Sequence, residues 1–244
     1  MSILKLGTYA SLGAILFILS CTSSKSYNAT TIGEEETLIK KGDMATHIAL
    51  KDLQSKQHLF AIGSVTNLKG YIVIDDSRPF ASFVQNGNVA IDSSWNTDAT
   101  LLVYSQVDQW KEISIPDSVK TYGSLERFVL NSAKENKINP DVAFPFLLKG
   151  TALSISWRVS DWDPNDKEVT NKKVKSSGLK GVADSVKTSI VGFYCTKQYR
   201  VLAEHDTKMH LHFMSDNRLA SGHIDDILLN GEMKLYLPEE SNSK

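Results

Sequence analysis

Residues 209–223, MHLHFMSDNRLASGH, constrain the fold of this chain more than any other stretch. Apolar and polar side chains alternate over its first part, and SDNR in the middle is rich in turn-forming residues, so the pattern predicts a β-hairpin. Side chains two positions apart project from the same face of a strand, which places His210 and His212 together. If the chain reverses near residues 217–218, His223 faces His212 from the returning strand, with Cβ atoms ~5 Å apart.

Three imidazoles that converge on one sheet face are a common zinc site, because three neutral nitrogens leave a coordination position open. A His-x-His pair alone is often ordinary polar surface, and the third histidine at hairpin spacing favours a metal site. Cupins also carry His-x-His on a strand, but their pattern continues with a glutamate where this chain has Asp216, and with a much later last histidine. Imidazole also suits iron, nickel and copper, so the ligand type does not by itself fix the metal.

The composition is that of an ordinary globular protein and argues against nucleic acid as a partner. The chain has 244 residues, of which 41% are apolar, enough for one large domain or two joined lobes. Its formal net charge is −1, whereas nucleic-acid binding requires a basic face. The nearest basic cluster, NKKVK at residues 171–175, is interpreted as a solvated connection.

The first twenty residues are typical of an export signal. Lys5 precedes an apolar run from Leu12 to Leu19, which is too short to span a bilayer and suits the core of a signal peptide. The following ILSC resembles a bacterial lipobox, so we expect residues 1–20 to be removed and Cys21 to carry lipid. The protein would then be exported and anchored to a bacterial membrane, on its periplasmic or cell-surface side, through that lipid alone. An ordinary signal peptide with an incidental cysteine is the alternative.

The rest of the chain divides into three parts. Residues 21–33 are polar, as in a flexible tether, residues 34–238 form the predicted domain, and residues 239–244 form a short tail. Cys195 is the one cysteine besides Cys21, so lipid on the latter leaves no intramolecular disulfide. We expect Cys195 to be a packed small residue rather than a nucleophile.

The patterns predict an α+β fold, mainly antiparallel or mixed β-sheet in two joined lobes, with a few helices and the metal site on a C-terminal hairpin. A short helix in EEETLIKKGD should stop at Gly42, and a second over residues 124–140 should be capped by Ser124 and closed by Pro140. Alternation predicts strands over residues 46–115 and in FPFLLKGTALSISWRV, SVKTSIVGFYC and EMKLYLP. The stretch SDWDPNDKEVTNKKVKSSG has no apolar period and is expected to be an exposed excursion.

The histidine segment resembles the zinc-binding stretch of the α-acetolactate decarboxylases, which carry His-Leu-His-Phe followed by Gly-His on the returning strand. The likeness extends over most of the chain. IALKDLQSKQHLFAIGSVTNLKGYIVID resembles the family's early block, GTALSISWRV its central arginine block, SIVGFYC the strand before the metal, and GEMKLYLP its closing strand. Only the histidine block is by itself specific to this family, and the order of the other blocks along the chain supports the resemblance.

The resemblance implies three Zn²⁺ ligands, His210, His212 and His223. It also implies that Arg158 is the active-site arginine and Glu232 the later active-site glutamate. No organic cofactor is expected, and the resemblance allows a homodimer.

The chain departs from the family pattern in its early block. Ser64 stands where the family usually has a threonine, which keeps the hydroxyl. The family's Asp-Gly-Glu becomes Lys69-Gly-Tyr71, so a tyrosine replaces an active-site carboxylate. With a reference pKa of about 10, a tyrosine is not an anion at neutral pH.

The resemblance implies zinc-dependent conversion of 2-acetolactate, a small hydroxy-keto acid, to acetoin and CO₂. The barrier depends on stabilising the enolate left behind, and Zn²⁺ acts as a Lewis acid toward its oxygen. Arg158 would hold the departing carboxylate by its planar fork, and Glu232 would relay a proton. Because of Tyr71, an impaired or altered-specificity zinc-binding homologue is the alternative. A third hypothesis is that the protein is a surface lipoprotein that keeps the fold only for interactions with partners.

Overall fold

The first of two antiparallel sheets is built from the N-terminal half of the chain. The computed structural model describes residues 27–197 and 207–239. The strands of the first sheet are β1 (Thr30–Ile32), β2 (Ile48–Ala49), β3 (Leu59–Val65), β4 (Tyr71–Asp75), β5 (Arg78–Gln85), β6 (Asn88–Asp92) and β7 (Asp98–Gln106). They pair in the order β1–β7–β3–β4–β5–β6, and β2 pairs with another part of β7. Short 3₁₀ turns follow β2 and β3, at Leu50–Leu53 and Thr66–Leu68.

The second sheet contains the histidine hairpin. Its strands are β8 (Trp110–Ser114), β9 (Phe144–Val159), β10 (Leu179–Tyr194), β11 (Met209–Ser215), β12 (Ser221–Leu228) and β13 (Met233–Pro238). They pair in the order β10–β11–β12–β9–β13–β8, and β10 also pairs with β9. Strands β9, β10, β11 and β12 therefore close into a ring. Every pairing between these strands is antiparallel, which confirms the predicted class and removes its mixed-sheet option.

In the part of the chain that the structure describes, three helices accompany the sheets: α1 (Glu35–Lys41), α2 (Tyr122–Glu135) and α3 (Asn171–Ser176). Helix α1 ends as predicted at Gly42, whose φ of 66° suits the left-handed cap. Helix α2 begins earlier than predicted, because Thr121 is the cap and Ser124 completes its capping box from the third helical position. In residues 27–197 and 207–239, no helix is long and apolar enough to span a membrane.

The predicted tether is part of the folded domain from residue 27 onward. Tyr27 is buried and its carbonyl oxygen accepts a hydrogen bond from Ser105 Oγ, while Thr30–Ile32 pairs with β7. Polar composition does not exclude a strand when a neighbouring sheet edge satisfies its backbone groups. The signal segment and Cys21 lie outside the described residues.

The excursion over residues 160–178 is not fully exposed as predicted. Trp162 and Val169 are buried and pack with Leu38 of α1 and Leu68. Two isolated apolar residues give no periodic signal, but they suffice to hold this segment against the first sheet. The predicted connection NKKVK lies within α3.

The two sheets pack against each other through one apolar cluster. Ile62 and Val73 enter it from the first sheet, and Val191 and Phe213 enter it from the second. Strand β4 contacts both β11 and β12, so the middle of the first sheet lies over the histidine hairpin. Cys195 is buried in this core, as predicted.

Gly192 on β10 gives a test of packing within the second sheet. It pairs with Phe146 on β9, and a Cβ atom on Gly192 would lie 2.4 Å from the Phe146 ring. We expect Gly192→Ala to lower the free energy of unfolding by about 1–3 kcal/mol, because the buried ring must move. Urea denaturation measures the change.

Gly123 in α2 is the matched control. A Cβ atom there meets nothing nearer than Arg127 Nη1 at 3.8 Å. Gly123→Ala should raise the free energy of unfolding by up to about 1 kcal/mol, because alanine is the better helix former. Equal destabilisation by both substitutions would show that the Gly192–Phe146 contact has no special role.

Candidate metal centre

The three histidines of the hairpin converge as their spacing predicts. His210 and His212 lie on β11, and His223 on β12 pairs directly with His212. The Nε2 atoms of His210 and His212 are 3.1 Å apart. One ring nitrogen from each of the three residues lies within 4.8 Å of the other two. This separation lets a single cation contact all three rings.

A hydrogen bond from the first sheet orients the central histidine. His212 is fully buried, and its Nδ1 lies 2.8 Å from the backbone carbonyl oxygen of Ile72 on β4. A carbonyl oxygen only accepts, so Nδ1 carries the proton and Nε2 presents its lone pair to the site. Carbonyl groups commonly orient metal-binding imidazoles in this way.

The surroundings keep the buried rings neutral. Burial lowers the pKa of His212 well below its usual value, and the nearby His210 lowers that pKa further. Burial also lowers the pKa of His223, followed in effect by the positive charge of Arg158. Only the neutral imidazole binds a metal ion, so this environment favours ligation. The donor set of three imidazole nitrogens fits zinc, and it also fits other late transition metals.

Arg158 lies beside the histidines, where the resemblance implied. It pairs across the sheet with His223, and its side chain is only 3% exposed. Its Nε donates a hydrogen bond of 3.0 Å to Tyr71 Oη. The Tyr71 ring centroid lies 5.1 Å from that of His212. Tyr71, which stands where the resemblance implied a glutamate, is therefore within the site and hydrogen-bonded to the arginine.

Asp225 is a site residue that the sequence reasoning missed. It lies at a register shift of β12, between Ile224 and Asp226, and its carboxylate forms an ion pair with Arg158. Its Oδ1 lies 3.5 Å from Nδ1 of His223. The two-residue spacing from His223 is the signal that could have found it, because i and i+2 share a strand face.

Ser64 contributes a buried hydroxyl to the same region. It pairs with Tyr71 across β3 and β4 and is 4% exposed. Its Oγ has no hydrogen-bond partner within residues 27–197 and 207–239. Buried hydroxyls are usually satisfied, so this atom points to a ligand or a water molecule as its partner.

Glu232 is not brought to the histidines. It is exposed and immediately precedes β13, where its backbone carbonyl approaches Gly150 of β9. The register pairs Met233 with Gly150, eight residues along β9 from Arg158 and about 26 Å of extended chain away. The pairing of β13 therefore corrects the expectation that Glu232 relays a proton at this site.

Two pockets meet at the histidines, and three residues line both: Arg158, His210 and His223. The apolar pocket is also lined by nine aliphatic residues: Ile32, Leu38, Ile39, Ile62, Leu68, Leu101, Leu102, Val103 and Val174. The basic pocket also contains Lys175 and Lys180, together with Tyr122 and Asp225. Ser64 and Tyr71 line the apolar pocket. His210 and His223 therefore lie where the apolar pocket meets the basic pocket.

The comparisons with known proteins agree with this architecture. The family model for alpha-acetolactate decarboxylase matches residues 36–242. This chain belongs to that family. The match covers almost all of the predicted domain and includes both the histidine hairpin and Arg158. No curated protein matches the chain significantly.

Solved structures share the fold at low sequence identity. Alpha-acetolactate decarboxylase from Bacillus subtilis strain 168 has a TM-score of 0.69 and 16% identity, covering 86% of this chain and 85% of its own. The acetolactate decarboxylase of Bacillus subtilis subspecies spizizenii has a TM-score of 0.70 and 16% identity, covering 86% of each chain. A Staphylococcus aureus protein of unknown function, similar to alpha-acetolactate decarboxylase, has a TM-score of 0.68 and 13% identity, covering 88% of this chain and 86% of its own.

Asp225→Asn tests the carboxylate next to Arg158. We expect it to lower the free energy of unfolding by about 1–2 kcal/mol, since a buried guanidinium loses an ionic partner that is itself partly exposed. Asp226→Asn is the matched control, because Asp226 is exposed and its carboxylate accepts from the neighbouring Ile227 N–H. That control should stay within about 0.5 kcal/mol of the parent. Equal effects in urea denaturation would contradict the assigned pairing.

Proposed function

We propose that this protein catalyses zinc-dependent decarboxylation of 2-acetolactate to acetoin and CO₂. The observation that carries the proposal is the convergence of three imidazoles beside a buried arginine, in a member of the alpha-acetolactate decarboxylase family. The ligands would be His210, His212 and His223. A zinc ion bound there supplies a Lewis acid that stabilises negative charge on the substrate's carbonyl oxygen.

Arg158 binds and orients the substrate carboxylate. Its guanidinium lines both pockets and is shielded from water, so an anion beside the histidines meets a strong, planar hydrogen-bond donor. Tyr71 and Asp225 contact the guanidinium at different nitrogens, which fixes its plane. A fixed carboxylate keeps the breaking carbon–carbon bond in one orientation, and this orientation lowers the barrier.

The electron pair left by CO₂ must be protonated at carbon, and Glu232 is too distant to serve. We assign this step to Tyr71. Its Oη accepts a hydrogen bond from Arg158, so the phenolic proton is directed to another acceptor, and its ring lies against His212 and His223. Tyr71 would deliver the proton and then recover one from solvent.

Tyr71 also favours a second function. A family member that lacks the carboxylate at this position could bind zinc and a hydroxy-keto ligand yet turn over a different substrate, or none. In that case the metal centre and Arg158 retain their binding roles, and only the proton transfer is lost.

Purified protein loaded with Zn²⁺ and given racemic 2-acetolactate should produce acetoin, and the EDTA-treated protein should not. Arg158→Lys should reduce kcat/KM by about 100-fold, because the planar contact with the carboxylate is lost. Arg127→Lys on the exposed side of α2 is the matched control and should retain parental kcat/KM.

No acetoin above the EDTA control would end the claim for this reaction. A Tyr71→Glu variant that then gains activity from an inert parent would decide for the second function. Colorimetric acetoin assays distinguish these results.

We further propose that the protein is exported and anchored to a membrane through lipid on Cys21. The support is the apolar segment before ILSC. Cys21→Ser should move the protein from the membrane fraction to the soluble fraction of the cells that express it, and Cys195→Ala should not. Membrane retention of the Cys21→Ser variant would contradict the anchor.

A further inference from the structure

The apolar pocket reaches from the histidines to helices that lie outside both sheets, and its cavity volume is about 80 Å³. 2-Acetolactate carries only methyl groups on its hydroxy-keto core. In contrast, aliphatic side chains predominate in the pocket from the histidines outward to α1 and α3, where Glu35 and Asn171 are polar lining residues. Leu38 of α1 and Leu68 belong to one buried cluster, against which Ile39, Leu101 and Val174 pack. Elements outside both sheets thus add apolar walls to a pocket that opens onto the metal ligands.

The opposite side of the site has the opposite character. Lys175 and Lys180 join Arg158 in the basic pocket, where Asp225 is the acidic residue. A bound carboxylate is therefore favoured on this side, and an alkyl group on the other. The site distinguishes the two ends of an amphipathic acid by charge.

Two polar residues that line the apolar pocket with the histidines, Tyr71 and Ser64, are uncharged. Tyr71 is 6% exposed and Ser64 is 4% exposed. An alkyl chain can pass an uncharged phenol without desolvating a carboxylate, which would carry a large free-energy cost. The unpartnered Ser64 Oγ can bind an oxygen of the ligand's core at the point where the chain enters the pocket.

We propose that the preferred substrate is a 2-hydroxy-3-oxo acid with an alkyl substituent of three or more carbons. The carboxylate faces Arg158 and the alkyl chain fills the apolar pocket. The reaction part rests on the proposed function, but the binding part does not. In turnover, the bond between the α-carbon and the carboxylate breaks and CO₂ leaves. The electron pair stays on the substrate, and the α-carbon gains a proton derived from solvent.

Binding is tested first with acids that cannot decarboxylate. Isothermal titration of zinc-loaded protein with 2-hydroxybutanoate, 2-hydroxyhexanoate and 2-hydroxyoctanoate should show affinity rising about fourfold per buried methylene. Equal affinity for the three acids would overturn the proposal.

Substitutions in the apolar pocket test whether the gain in affinity with chain length arises there. Val174→Trp and Ile39→Trp each fill the apolar pocket and should remove most of the octanoate-to-butanoate affinity ratio. Val142→Trp, on an exposed residue that does not line the pocket, should retain it. Thermal melting confirms that each variant is folded, and a ratio unchanged in both pocket variants would also overturn the proposal.

Turnover separates this inference from the proposed function. CO₂ release from 2-hydroxy-2-pentyl-3-oxobutanoate should show a higher kcat/KM than release from 2-acetolactate. If acetolactate is turned over and longer chains bring no gain in binding or rate, the pocket inference fails and the reaction stands. If binding rises with chain length but neither acid releases CO₂, the reaction fails and the binding inference stands.

Discussion

The hydrogen bond between His212 and the Ile72 carbonyl oxygen is the constraint on which the site depends. It joins the two sheets at their centre, and it fixes both the tautomer and the plane of the most buried ring. With His212 fixed, strand pairing sets His223 opposite, and the two-residue strand period sets His210 alongside. A metal centre then follows from backbone geometry, with little freedom left to individual side chains.

Charge in the site is arranged around Arg158. A buried guanidinium is tolerated only with partners, and here Tyr71 and Asp225 contact it from different sides. Burial and the nearby cation both keep His223 neutral, so one arrangement would serve both the proposed substrate binding and the proposed metal ligation. Tyr71 stands where the family resemblance implied a glutamate, and Asp225 provides a carboxylate close to the histidines.

Local patterns predicted the parts of the site that depend on strand geometry. The spacing of His210, His212 and His223 was sufficient to predict their convergence, and the family resemblance added Arg158. Asp225 was missed because the resemblance to the family did not include it.

Features that depend on tertiary structure could not be predicted from local sequence patterns. The register of β13 on β9 moved Glu232 out of the site, and no local pattern encodes that register. The burial of Trp162 likewise depends on α1 and the first sheet, which lie far from it in sequence.

The central claim is that the three histidines bind one zinc ion. X-ray absorption at the zinc edge, on protein loaded with one equivalent of Zn²⁺, tests this claim most directly. The spectrum should show imidazole scattering from three histidines that weakens in His212→Ala, whereas a spectrum of hydrated zinc unchanged by that substitution would contradict it.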